Sequence, residues 1–358
     1  MNEKSMTTHL GWAVRNWLLR GFPAISLRLL AFGAALRHRL PSAARQELET
    51  SLSLAFSGEG PLEITGLAKK ILGTQLVGAA AQFRLQLLTH DKLCRETQAM
   101  RVVGENFLRS HDPAQSTIIV TPHYGHFMHA ALRVAIDHSD RTVCFFYNPN
   151  ERNPYAETTD ELIDRVNARC IKIRNDRKGL VSVMRALRKG AILCMMPDQI
   201  TPEGEITYVP FFGRFFGVMR GTAFLATKTG AQIVPAFCHH DGANQLVLEY
   251  RPPLVPAPFL DEETQIYSLT AALFREIEEK LRQAPEHWRY WNQFARRSLP
   301  SLSLPRSTPE LVSQLDLVRQ RFDHDPSMRE LVLSWQQCLQ GPLGIDEHQG
   351  SLASPRVP

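Results

Sequence analysis

The sequence lacks several things whose absence narrows its function. Its six cysteines, Cys94, Cys144, Cys170, Cys194, Cys238 and Cys338, form no Cys-x-x-Cys and no paired spacing. Four of them sit in or beside apolar runs that read as buried strands. Scattered thiols of that kind act as small hydrophobes and suit a reducing compartment rather than a disulfide framework or a zinc site. No internal repeat is visible, which removes solenoids and propellers. Long hydrophobic runs are missing from the amino-terminal segment, where arginines at 15, 20 and 28 break the apolar residues and the longest uncharged stretch within residues 11–40 runs only from Leu29 to Leu36. A bilayer crossing needs about 20 consecutive apolar residues, so this segment does not span. Recurring charge and the lack of a small-residue cleavage site also argue against a secretory signal.

Charge excess is absent from the body of the chain. The formal net charge is +5 over 358 residues, and all of it lies in residues 1–48, where seven basic residues face only Glu3 and Glu47. The remainder is balanced. A nucleic-acid-binding protein carries its positive charge on the folded body, so no nucleic-acid partner is expected. Instead, Trp12, Trp17, Phe22, Leu27 and Phe32 mixed with arginines describe an amphipathic helix, broken near Pro23, lying on an anionic membrane surface through residues 10–40. The other reading is an amphipathic helix packed on the protein's own core.

What is present is ordinary globular composition, 44% hydrophobic and 22% charged, enough to bury a sizeable core. Residues 42–100 carry apolar residues at helical spacing. From about 115, short β-rich runs appear at Thr117–Thr121, Thr142–Tyr147, Cys170–Arg174, Ala191–Met196, Gln232–His239 and Gln245–Tyr250. Helical stretches such as Ala156–Ala168 and Gly179–Lys189 alternate with them. That alternation predicts an α/β sheet with its site where loops leave the strand ends. Residues 265–283 form another amphipathic helix. Three regions are expected: a basic membrane-associating segment at 1–48, an α/β domain at 49–299, and a linker, short helices and disordered tail at 300–358.

The strongest chemical signal is Ile118-Ile-Val-Thr-Pro-His123-Tyr-Gly-His126-Phe-Met-His129. An apolar strand ends at a proline, and His123 stands at the strand-to-helix junction, where an imidazole suits a general base. Histidines at 123, 126 and 129 invite a metal reading, but no carboxylate or cysteine joins them at ligand spacing, so neither metal nor cofactor is expected. A second strand ends in Pro197-Asp198-Gln199. Next comes Val209-Pro-Phe211-Phe212-Gly213, and Ala284-Pro-Glu-His-Trp288 follows the last helix.

In this order the segments, with the basic amino-terminal helix, resemble the lipid A late acyltransferases of the lysophospholipid acyltransferase superfamily, over roughly residues 10–297. The resemblance implies a glycerol-phosphate-acyltransferase-like fold, an α/β domain whose mixed sheet is flanked by helices. It implies transfer of an acyl group from an acyl carrier protein or acyl-CoA thioester to a hydroxyl, or an amine, of a lipid-like acceptor. It further implies a peripheral place at the cytoplasmic face of the bacterial inner membrane. On matching positions His123 becomes the base. Asp198 and Gln199 shape the neighbouring strand end. Phe211, Phe212 and Gly213 form the acyl and acceptor cleft, plain core packing being the other reading of the two rings. His126 and Arg152 are further candidates for substrate contact.

Two positions depart from the family pattern. The acid expected five residues after the histidine is Met128, which cannot orient an imidazole. The arginine expected after the next strand is replaced by Asn148, with Arg152 only nearby. Three readings follow: another group, such as His126, His129 or a distant acid, orients His123; the acceptor needs less help from a base; or the fold is catalytically inactive and binds lipid or acyl carrier protein. His239-His240-Asp241 could supply an acid or be an ordinary turn. The basic residues Arg174 to Lys189 could meet a phosphate or a carrier, or be solvated helix charge.

Overall fold

The apolar strand before His123 sits at the centre of the sheet. In the computed structural model, residues 43–57, 60–108, 115–147, 156–174, 176–200, 205–241, 245–256 and 261–298 are described. The basic amino-terminal segment up to residue 42, residues 148–155 with Asn148 and Arg152, and everything after 298 lie outside the described residues. The chain opens with helices α1 (Ala43–Ala55), α2 (Pro61–Leu87) and α3 (His90–Gln98). Leu48 and Leu52 of α1 are buried, and α1 runs across the expected boundary at residue 48. Strand β1 (Arg101–Val103) follows, then β2 (Thr117–Val120), α4 (Phe127–Asp137), β3 (Val143–Tyr147), α5 (Ala156–Val166), β4 (Ile171–Arg174), α6 (Arg177–Leu187) and β5 (Ile192–Met195). A hairpin of β6 (Ile206–Phe211) and β7 (Arg214–Met219) leads to α7 (Gly221–Thr229), β8 (Gln232–His240), β9 (Leu246–Tyr250), α8 (Glu262–Gln283) and α9 (Trp291–Arg297).

Seven strands form one sheet in the order β1-β9-β8-β2-β5-β3-β4, mixed because β8 and β9 run antiparallel while the other neighbours are parallel. This is the expected α/β fold. Ile118, Ile119 and Val120 of β2 are buried, as a strand between parallel neighbours with helices on both faces must be. The two apolar clusters lie on opposite faces of that sheet, so Ile118 and Val120 pack into one while Ile119 packs into the other.

All six expected strands are present. The hairpin was not expected as strands. Its tip carries Phe212 at φ 50° and Gly213 at φ 66°, a left-handed pair of the kind that closes two-residue hairpins. The backbone N–H of Phe212 donates to Glu278 Oε2 at 2.7 Å, and the Arg282 guanidinium lies 4.6 Å from the Phe212 ring centre. These contacts from α8 hold an aromatic residue in a conformation it rarely adopts.

Candidate active site

The geometry of the site follows from strand register. Strands β2 and β5 pair in parallel with Val120 opposite Met195. His123 and Asp198 each lie three residues beyond that pair, so parallel pairing delivers both to the same edge of the sheet. There His123 Nδ1 is 2.8 Å from Asp198 Oδ1. The backbone N–H of His123 donates to Asp198 Oδ2, also at 2.8 Å. The Trp288 indole N–H donates to the same oxygen at 3.0 Å. Asp198 is fully buried, so every hydrogen bond counts. Burial alone raises the Asp198 pKa, yet the His123 ring and the hydrogen bonds from His123 and Trp288 outweigh it and hold the carboxyl below its ordinary value.

Strand β8, on the other side of β2, fixes the turn after His123. Gly125 takes φ 52°, and a Cβ there would lie 2.3 Å from the Cys238 carbonyl oxygen, so only glycine fits. The His126 N–H donates to that same carbonyl at 2.8 Å. On the outer side the chain after α8 runs antiparallel to 123–125. The Gly125 N–H donates to the His287 carbonyl at 2.8 Å and the Arg289 N–H to the His123 carbonyl at 3.0 Å. That pairing puts the Trp288 indole onto Asp198 and the Tyr290 ring 4.8 Å from the imidazole, with Phe127 at 4.9 Å on a second side. Arg297, fully buried, donates to the Asp198 main-chain carbonyl at 2.7 Å. Burial lowers its pKa to about 10, still far enough up to keep the guanidinium charged at neutral pH.

The imidazole faces a cavity of about 480 Å³ between α2 and the start of α4. His123 keeps 9% of its surface exposed. Its Nδ1 is committed to Asp198, and Nε2 has no protein partner among the described residues. The cavity wall on α2 is largely apolar, with Leu72, Leu76 and Val77. The opposite wall carries His126, Met128, His129 and His240. The His126 ring lies 4.5 Å from His240 and 5.3 Å from His129. Burial first, and neighbouring histidines second, push His126 down to about 3 and His129 down to about 4, so both rings are neutral at physiological pH. Among the described residues no group of three or more His, Cys, Asp or Glu is arranged to hold a metal ion.

The structure brings together His123, Asp198 and His126. It leaves Gln199 exposed at the strand end, outside the cavity wall. Phe211 and Phe212 are buried at 0% and 3% and do not line this cavity. Phe211 packs 5.0 Å from Phe216 and 5.8 Å from Trp288, and Phe212 5.2 Å from Trp291. With Gly213 at the hairpin tip, they build the aromatic core beneath the site, which is the packing reading and not the cleft. Asp241 pairs with Arg101 at 3.0 Å and closes a turn onto the Gln245 N–H, so it is no orienter of His123. Arg177, Lys178, Arg185, Arg188 and Lys189 are exposed on and just after α6, as solvated helix charge. Trp288, Tyr290 and Arg297 were not among the expected site residues. The sequence signal for Trp288 was the Ala284-Pro-Glu-His-Trp288 segment, which Tyr290 follows by two residues; Arg297 lies beyond it and had none.

The decisive likeness is one of sequence. The chain matches the family described as bacterial lipid A biosynthesis acyltransferase over residues 3–295. It belongs to that family. A crystal structure of the 1-acyl-sn-glycerophosphate (LPA) acyltransferase PlsC from Thermotoga maritima is similar at 15% identity and a TM-score of 0.34, covering 73% of this chain and 97% of that one. A search of the curated proteins found no match. Membership makes this an acyltransferase-family chain acting in lipid metabolism, with an acyl donor and a lipid acceptor as the substrate classes. Among the described residues no helix is long and apolar enough to cross a membrane.

Proposed function

We propose that this chain is an active acyltransferase in which His123 is the general base and Asp198 its orienting acid. The observation that carries the reading is the 2.8 Å contact between His123 Nδ1 and the buried Asp198 carboxylate. An acid on Nδ1 keeps the proton there and leaves Nε2 as the acceptor. In the reaction, Nε2 takes the proton of an acceptor hydroxyl, or amine, as its oxygen or nitrogen attacks the thioester carbonyl. The new C–O or C–N bond forms, the C–S bond breaks, and the proton passes from the imidazolium to the departing thiolate. A positioned base of this kind contributes about 10²- to 10⁴-fold. The missing acid at 128, the main reason to read the fold as an inactive binder of lipid or carrier protein, is answered by Asp198.

The donor is a thioester of acyl carrier protein or coenzyme A, and the acceptor is lipid-like. Residues 10–40, with their arginines and aromatic residues, hold the enzyme peripherally to the anionic cytoplasmic face of the bacterial inner membrane. The test is thiol release from acyl-carrier and acyl-CoA thioesters in the presence of phospholipid and glycolipid acceptors. Wild type releases thiol and His123→Ala does not. Equal release by the variant removes His123 from the mechanism.

A further inference from the structure

Asp198 is a fully buried carboxylate, and a second buried charge stands behind it. Arg297 closes α9 and is 3% exposed. Its neighbour Arg296 is exposed and pairs with Glu47 at 2.9 Å, the ordinary place for an arginine. Arg297 turns inward instead. Its Nη1 donates to the Asp198 main-chain carbonyl at 2.7 Å and its Nε to the Gly217 carbonyl of β7 at 3.0 Å. The guanidinium lies 4.3 Å from the Phe216 ring centre, and Nη2 is buried with no hydrogen-bond partner among the described residues.

Packing does not account for such a residue. A neutral amide could meet the carbonyl oxygens, and an apolar side chain would fill the space over Phe216 at less cost than a buried cation with an idle N–H. What a neutral group cannot supply is charge. The described groups whose charge reaches Asp198 come from three elements: His123 in the turn after β2, Tyr290 in the segment after α8, and Arg297 on α9. Strand β7 contributes the Phe216 ring and the Gly217 carbonyl, neither of which titrates. Burial pushes the Tyr290 hydroxyl up to about 12, so it is uncharged at neutral pH. Arg297 is then the counter-charge to the carboxylate while the imidazole is neutral.

The net charge of this buried group depends on the state of the base. With Arg297 present, the group is neutral when the imidazole is free and carries one positive charge once it holds a proton. Without Arg297 it is negative when free and neutral when protonated. Removing the cation therefore favours uptake of a proton by the dyad. The guanidinium and the imidazole stand one hydrogen bond to either side of Asp198, about 10 Å apart. At an effective dielectric of about 20, a unit charge at that distance moves a titration by about one pH unit.

We propose that Arg297 is a positioning residue acting through Asp198: it anchors the main chain of the acid beneath the imidazole, and its charge keeps the resting base free of a proton. The proposal rests on the transfer reading above and adds to it the group that sets the pH at which the base works.

The test is the pH dependence of kcat/KM for thiol release by the full chain, with the ¹⁵N shifts of the His123 imidazole followed over the same range. Arg297→Gln keeps a donor for the Asp198 carbonyl and removes the charge. Its acid limb should move up by about one pH unit, so that the loss is about tenfold greater on the acid side than on the alkaline plateau. KM should stay as it is, and the imidazole titration should be displaced by the same amount. Arg297→Lys keeps the charge and should leave the limb in place. Where urea unfolding shows that the glutamine variant does not fold, Arg297→Met takes its place, a flexible thioether side chain that can lie over Phe216. A neutral variant that loses activity equally at every pH, or a lysine variant whose limb moves as far, overturns the proposal and makes Arg297 a structural residue only. The imidazole shifts need no turnover, so a displaced titration in a protein that releases no thiol sinks the transfer reading and leaves the role of Arg297 standing.

Discussion

Replacing Asp198 by asparagine tests the site through one proton. The carboxylate accepts three hydrogen bonds: Oδ2 from the His123 backbone N–H and the Trp288 indole N–H, and Oδ1 from the imidazole. The two donors at Oδ2 cannot accept, so an asparagine must turn its carbonyl oxygen toward them. Its amide NH₂ then faces Nδ1, which has to become an acceptor. The ring proton moves to Nε2, the atom that in the proposed mechanism takes the acceptor's proton, and the base is disabled without any change of position. In a serine-protease triad the equivalent change lowers kcat by about 10⁴-fold through the wrong tautomer, so a loss of about 10³- to 10⁴-fold is expected here. Two of the three hydrogen bonds survive, and the fold should lose no more than about 1–3 kcal/mol. Thiol release measures the rate, urea unfolding the stability, and ¹⁵N shifts of the imidazole the tautomer. A variant that keeps activity within about threefold, or that is inactive while Nε2 remains unprotonated, refutes the reasoning.

Met128→Glu places a carboxylate at a buried cavity position, 4% exposed, beside a base that already has its acid; activity in the thiol-release assay should fall rather than rise, and a sharp gain would show the Asp198 dyad to be a weakened substitute. Gly125→Ala forces a Cβ to 2.3 Å from the Cys238 carbonyl oxygen at positive φ, and thermal unfolding should show a loss of about 3 kcal/mol or more; an unchanged melting temperature would mean that the turn after His123 is not held as described. Stability should also depend on pH through His126 and His129, whose folded values of about 3 and about 4 lie below the unfolded 6.5. The unfolded chain binds protons first as pH falls, so this stability is complete above about pH 6.5 and is lost toward pH 4, by up to about 4 kcal/mol for the two rings between pH 7 and pH 5. Asp198 stays ionised in both states across that window and adds nothing, so urea unfolding that is flat from pH 7 to pH 5 would contradict the neutral histidine wall.

The sequence showed the sheet well because its strands are short, apolar and bounded by proline, glycine or charge. β2, β5 and β8 are such runs, and each lies where expected. The hairpin was harder. Ile206 to Met219 is apolar on both sides of the chain, since β6 and β7 are buried between α8 and α9 rather than half exposed, so no alternation marked it. Its Phe212-Gly213 tip was read as part of a cleft because aromatic residues serve cores and ligand pockets alike, and only burial separates the two. His123, the base of the proposed mechanism, stood out in the sequence from its place after a strand. Its orienter was not identified as such: Asp198 stood out at a strand end, but nothing in a sequence says that β5 lies beside β2 when β3 and β4 come between them in the chain.

Moving the acid from helix to strand end has consequences beyond replacing a lost group. An acid on α4 would share its backbone with the residues that line the cavity, and its charge would face the substrate. Asp198 instead approaches from below the site, fully buried, with Trp288 donating to its carboxylate and Arg297 to its main-chain carbonyl. That buried charge is stable only because its donors are fixed by a separate segment, 285–297, which also pairs with residues 123–125. The helix position so released holds a methionine, leaving the cavity wall beside His123 neutral from His126 to His129. In the proposed mechanism, catalytic charge and substrate surface are thereby divided between two layers. A lipid-like substrate benefits from that division, because its apolar part can lie along the wall without desolvating the carboxylate that orients the base.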